Sequence, residues 1–364
     1  MEKANKEIYG IQLLRGIAAL SVIFHHSLEE SSNSEFGIDW ITTFGASGVD
    51  IFFVISGFIV IYTSFPKSGN KTSPLTFLLR RATRIYPLYW LCCLAMLGIM
   101  LIGFLRNNRL ELHEIALSLA LLPSPKLILG VSWTLAYEMY FYLVFAITLP
   151  FRSPLISAIG STAVIASFAL AGNALDINEL RIFLTNPIVY EFVFGLWLAI
   201  AFAPRAGIGR RWSISPAWAV LGFILLAIAP AYVAHASTAG LPGWPRVLAW
   251  GLPSVLIVAS FLSIDKPNRA FQLQIVGDAS YALYLTHIFV MIGYGFLVKK
   301  TFVALAPQIT IVPLLMLLAL IVGIFVHFAV EKPLLRVSRQ WMGRKQPSLQ
   351  ERAGRNGLAS DQLQ

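Results

Sequence analysis

The segment LLRGIAALSVIFHHSLEE, residues 13–30, carries Arg15, His25 and His26 within a run otherwise apolar enough to cross a bilayer. An ionisable side chain at the bilayer centre costs about 2.5–3.5 kcal/mol on insertion scales, so one that persists usually faces a polar cavity or a partner. Arg15 and His26 lie eleven residues apart. At about 100° per residue they return to within about 20° of the same helical face, separated by about 16 Å along the axis. An imidazole can accept a proton near neutral pH and a guanidinium can anchor an anion, so the pair suits base-assisted chemistry on an anionic substrate. His25 is turned by about 100° from His26, so the two are not expected to point at one partner. An arginine snorkelling to one interface, with a histidine pair at the other, would account for the segment equally well.

Other charged residues break the apolar runs in the same way. Asp50 opens GVDIFFVISGF near the end of its segment that faces the His26 end of the first, where it could orient the imidazole or simply be solvated at a helix entry. Glu138 stands one turn inside an aromatic belt that includes Trp133, in SWTLAYEMYFYL. Glu191 lies in a later run, His287 in DASYALYLTHIFV, and His327 and Glu331 in FVHFAVEKPLLR. A lone histidine in a helix is more often a packed core residue than a catalyst. In TFLLRRATRIYPLYWL, Arg81 and Arg84 share one side of a helical turn. Planar guanidiniums suit phosphates, although positive anchoring at the cytoplasmic interface also predicts arginines here. No phosphate-cradling GxxxxGK[ST] loop, GxSxG elbow or metal-spaced His/Cys set is present, which leaves an ATP-driven pump and a serine hydrolase unsupported.

The elements that must position these residues follow from composition. The 364 residues are 57% hydrophobic and only 13% charged, with mean hydropathy +0.71, whereas about a quarter of a soluble domain is charged. Ten windows reach the roughly 20 residues that a transmembrane helix needs: 9–28, 45–64, 85–105, 134–150, 154–172, 181–203, 214–234, 245–263, 279–298 and 308–330. The stretch 112–122 is too short to span and is expected at an interface. The fold class is therefore an all-α polytopic membrane protein, with a transmembrane domain over 1–336 and a polar, basic, flexible tail over 337–364.

With the N-terminus in the cytoplasm, the inner segments hold twenty lysines and arginines and the outer loops seven, Arg246 among the latter. Both termini are thus expected in the cytoplasm. This asymmetry and the basic tail account for the net charge of +10 without nucleic acid. The first span lacks a small-residue cleavage site and is expected to stay uncleaved. Adjacent Cys92 and Cys93 suit packing better than a disulfide framework or a metal cage.

Together LLRGIAALSVIFHH, GVDIFFVISGF, RRATRIYP, SWTLAYEMYFYL, SYALYLTH and EKP, spread from about residue 8 to 336, resemble the membrane-bound acyltransferase-3 family, and within it the bacterial exopolysaccharide O-acetyltransferases. The resemblance implies a ten-helix multi-pass protein of the bacterial cytoplasmic (inner) membrane. It would move an acyl group, usually acetyl from cytoplasmic acetyl-CoA, onto a sugar hydroxyl of a polysaccharide or lipid-linked saccharide. Acetyl-CoA would be a co-substrate, with no permanently bound cofactor and no metal. Carried to matching positions, His26 would be the catalytic histidine, Arg15 its functional partner, and Arg81 and Arg84 the donor contacts. Asp50 or Glu138 is then expected to orient the imidazole, with His25, Trp133, His287 and Glu331 in support. The chain resembles the stand-alone form of the family, and its oligomeric state, a homodimer included, stays open. The rival reading is a transporter or flippase for a polyprenyl-linked saccharide.

Overall fold

A computed structural model describes residues 8–31, 43–65, 72–103, 110–202, 214–232, 243–264, 271–298 and 307–344, together with Leu241 and Thr301. Among these residues every regular element is helical. In chain order the helices are α1 (Tyr9–Ser31), α2 (Gly48–Ser64), α3 (Pro74–Leu101), α4 (Leu112–Leu119), α5 (Trp133–Thr148), α6 (Pro154–Gly172) and α7 (Asn178–Thr185). They continue as α8 (Tyr190–Phe202), α9 (Ala217–Tyr232), α10 (Gly243–Phe261), α11 (Phe271–Asp278), α12 (Ser280–Gly293), α13 (Gln308–Val326) and α14 (Lys332–Arg344).

Eight helical stretches are long and apolar enough to cross a membrane, and α9 and α12 are shorter apolar helices. All ten expected windows thus have their helix. The chain is an all-α polytopic membrane protein. The outward faces agree: Leu314, Leu317, Leu318, Ile321 and Phe325 stand exposed along α13, as do Val220, Leu221, Ile224 and Ile228 along α9. Water would penalise such stripes, whereas lipid tails accept them. The eight residues of α4 rise only about 12 Å, too little to span. The polar tail expected from residue 337 is helical as far as Arg344, and 345–364 lie outside the described residues.

The third span begins at Pro74, eleven residues before the apolar window. Ser73 caps it by accepting the Thr76 amide at 3.1 Å, and Pro74 occupies the first turn, where its missing N–H costs nothing. A hydropathy window excludes Arg80, Arg81 and Arg84, but the cap puts all three inside the helix. That fixes the direction in which the arginines project.

Close packing then gathers the site helices. At Gly48 an added Cβ would lie 2.4 Å from the Ala18 carbonyl oxygen, so α2 runs hard against α1. At Gly57 and Gly195 it would meet the Phe192 and Val54 carbonyls at 2.0 and 2.1 Å, so α2 and α8 cross backbone to backbone. Small residues allow this where helices associate without a hydrophobic driving force. Within α10 the turn Val247–Gly251 is π-helical, and a second π turn, His327–Glu331, joins α13 to α14. Such turns re-aim side chains and often mark functional positions.

Candidate active site

The helices α1, α2, α3, α5 and α12 enclose a cavity of about 310 Å³. Arg15, Arg81 and Arg84 line it together with Glu138. Three guanidiniums and one carboxylate thus share the cavity wall. Arg15 donates to Gln12 Oε1 at 3.2 Å, and Arg81 donates to Thr63 Oγ1 at 3.1 Å while lying over the Tyr142 ring. Glu138 Oε1 accepts from Ser56 Oγ at 3.0 Å and from the Tyr142 hydroxyl. Arginine forks in a half-enclosed, low-dielectric cavity are the usual means of holding a phosphorylated group.

Arg15 faces this cavity but His26 does not form part of its wall. The face shared by the two residues therefore runs on beyond the cavity. His26 is 26% exposed, and its Nδ1 lies 2.9 Å from Glu29 Oε2. A carboxylate oxygen only accepts, so Nδ1–H donates and Nε2 keeps its lone pair for a proton. His25 Nε2 comes to 3.5 Å of the same oxygen. The expectation that the two histidines address different partners is therefore corrected: Glu29 follows them by four and three residues, and its stem places one oxygen between both. These three residues could also converge on a metal, their ligand atoms lying within 4.8 Å of one another. His287 stacks on His26, ring centroids 5.1 Å apart, and is fully buried. Its Nδ1–H donates to the Leu283 carbonyl at 3.2 Å.

Asp50 does not orient His26. Arg246 takes it in a two-pronged grip, Nε to Oδ1 at 3.0 Å and Nη2 to Oδ2 at 2.8 Å. The guanidinium sits over Trp133 and Trp250, and Glu191 lies alongside. The sequence places Arg246 in an outer loop, but α10 starts at Gly243 and carries it into the bundle. Glu138 likewise belongs to the arginine cavity and not to the imidazole. Trp133 shelters Arg246. Glu331 receives His327 Nδ1–H at 2.6 Å and acts electrostatically on Arg15, as do Glu138 and Asp278. Glu29 and Arg246 are the residues that sequence reasoning missed; for Glu29 the signal was available, since i+3 and i+4 on a helix are neighbouring positions.

A family described as an acyltransferase domain matches residues 8–328. The chain belongs to the acyltransferase-3 family. The exopolysaccharide production protein ExoZ of Rhizobium meliloti (strain 1021) is 34% identical over 321 residues, 82% of this chain and 92% of that protein. Acyltransferase MdmB of Streptomyces mycarofaciens is 26% identical over 376 residues, 92% of each chain. No solved structure matches significantly. This acyltransferase-3 protein is thus a multi-pass membrane acyltransferase, which sets aside the transporter reading. The cavity and the His26–Glu29 pair belong to a chain whose chemistry is acyl transfer.

Proposed function

We propose that this acyltransferase moves an acetyl group from cytoplasmic acetyl-CoA to a hydroxyl of an exopolysaccharide or other surface saccharide at a bacterial inner membrane. The observation that carries the reading is the division of α1: Arg15 joins Arg81 and Arg84 around a positively charged cavity, while His26, farther along the same helix, presents Nε2 with Nδ1 held by Glu29. The lysine and arginine asymmetry supports a cytoplasmic cavity and cytoplasmic termini. The likeness to an exopolysaccharide production protein supports the acceptor class.

In this mechanism Arg81 and Arg84 hold the phosphates of the donor and its thioester arm points along α1. Nε2 of His26 takes the proton of the attacking hydroxyl as its oxygen bonds to the thioester carbon. The C–S bond then breaks, and the imidazolium returns the proton to the leaving thiolate. The ester and free CoA balance the reactants, with no oxidant or metal required. Glu29 holds the tautomer and steadies the imidazolium, the part an acidic residue plays beside a catalytic histidine.

The test is transfer from labelled acetyl-CoA to polysaccharide isolated from a strain lacking the protein, using the full chain in lipid nanodiscs, with the product read by mass spectrometry. Acetyl ester on the sugar is expected. A protein that consumes no acetyl-CoA, or a deletion strain whose polysaccharide keeps its acylation unchanged, would overturn the proposal. Label trapped on the protein without acceptor would replace direct transfer by an acyl-histidine route.

A further inference from the structure

The cavity stops short of the histidine. Phe52 of α2 and Tyr284 of α12 are both among its walls, their rings 6.2 Å apart and near edge-to-face at 72°. Beyond Tyr284 the His287 ring follows at 6.1 Å, and His287 in turn stacks on His26. A chain of ring contacts therefore runs from the Phe52–Tyr284 pair in the cavity wall through His287 to His26. Acyl transfer needs the reacting carbon within about 3–3.5 Å of the attacking oxygen, so in the proposed function the acyl end of a donor held in the cavity travels along these rings to reach His26.

The two members of the pair are held differently. The Tyr284 hydroxyl donates to the Val131 carbonyl at 2.8 Å and meets Thr134 Oγ1 at 2.7 Å, and the ring is buried. Phe52 has no polar group to tether it. It is half-buried and packs against both hydrophobic clusters, the large one and the smaller one formed by α1, α12 and α13. Tyr284 is thus held by hydrogen bonds, and Phe52 by packing alone.

We propose that Phe52, closing against Tyr284, is the size filter that admits a two-carbon acyl group to His26 and excludes longer ones. The inference rests on the acyl-CoA reading above. A rotamer change of one ring opens room for a short chain, whereas each further methylene must displace packed side chains. Discrimination by one methylene in a fitted site amounts to about 10–200-fold.

The experiment compares kcat/KM for acetyl-CoA and butyryl-CoA, using the full chain in nanodiscs with polysaccharide from the deletion strain. Wild type, Phe52→Leu, Phe52→Ala and Phe52→Trp are measured beside binding of free CoA. The acetyl-over-butyryl ratio is expected to fall at least about tenfold in the Leu or Ala variant. The Trp variant is expected to lose acetyl transfer while still binding CoA. A wild type that prefers butyryl, or a ratio within about twofold of wild type in both small variants, overturns the filter and leaves the acetyl-CoA reading intact. Loss of both donors in parallel means that Phe52 only packs, and likewise overturns it. A wild type using neither donor defeats the parent reading instead.

Discussion

Two groups of arginines and carboxylates interrupt this bundle, with opposite stoichiometry. Around Arg246, two acids, Asp50 and Glu191, face one guanidinium; all three are buried and Trp133 and Trp250 wall them in. Around the cavity, three guanidiniums face one acid, Glu138, and Arg84 is exposed. In the first group Arg246 pairs with Asp50 and ties α2 to α10. The second lines an open cavity and, in the function proposed above, holds an anion that arrives from outside. The same residue types therefore make a latch in one place and, in the proposed function, a binding site in the other, and pairing with enclosure decides which.

The comparison is tested most severely at the far end of α1. His26→Ala should reduce transfer by about 10²–10⁴-fold, the usual worth of a general base, while CoA binding measured by calorimetry persists. Failure to bind CoA would put His26 in the donor site. Arg246→Ala comes next: it leaves a buried carboxylate without its partner and should cost about 3–5 kcal/mol, seen as a large fall in Tm in detergent. Asp50→Ala with Arg246→Leu should recover much of that loss, because neither member of the two-pronged pair is then left without its partner. If the double variant remains as unstable as the single one, the group is more than a latch.

Smaller effects sharpen the contrast. Arg81→Ala and Arg84→Ala should each raise KM for the donor by about 10–100-fold, the loss of a charge-assisted hydrogen bond worth about 1.5–3 kcal/mol, with Tm nearly unchanged. A fall in Tm like that of Arg246→Ala would make the cavity arginines structural. Glu29→Gln should lower kcat by about tenfold with KM little changed, and Glu29→Asp should recover part of it. An equal loss in both variants would deny Glu29 a positioning role. Least of all, Glu191→Gln should shift stability by less than about 1 kcal/mol, since neither oxygen of the Glu191 carboxyl group has a hydrogen-bond partner among the described residues to lose.

Much of this was legible along the chain. Runs of about twenty apolar residues marked every span, because a bilayer admits only segments that satisfy their backbone internally. The cost of an ionised group in lipid singled out Arg15, His26, Asp50, Glu138 and His287 as residues that must face something. The partner of each was less visible. Asp50 and His26 both lie near the ends of their helices that meet, which made their pairing reasonable; the partner of Asp50 is 196 residues away in α10. Glu29 was passed over because the segment was read by helical face alone, and a long carboxylate stem reaches around a face.

The sequence by itself determined that the protein is a helical membrane protein, which residues pay to be inside it, and to which family it belongs. These are properties of single segments: hydropathy, helical period and motif need no knowledge of neighbours. Only the tertiary structure decided that Arg15 lines the cavity and His26 does not, that Asp50 belongs to Arg246, and that Phe52 and Tyr284 pack edge to face in the cavity wall. Those are relations between helices far apart in the chain. They are set by where small residues such as Gly48, Gly57 and Gly195 let backbones touch, and a residue's chemistry depends on the charge and the space that such contacts place beside it.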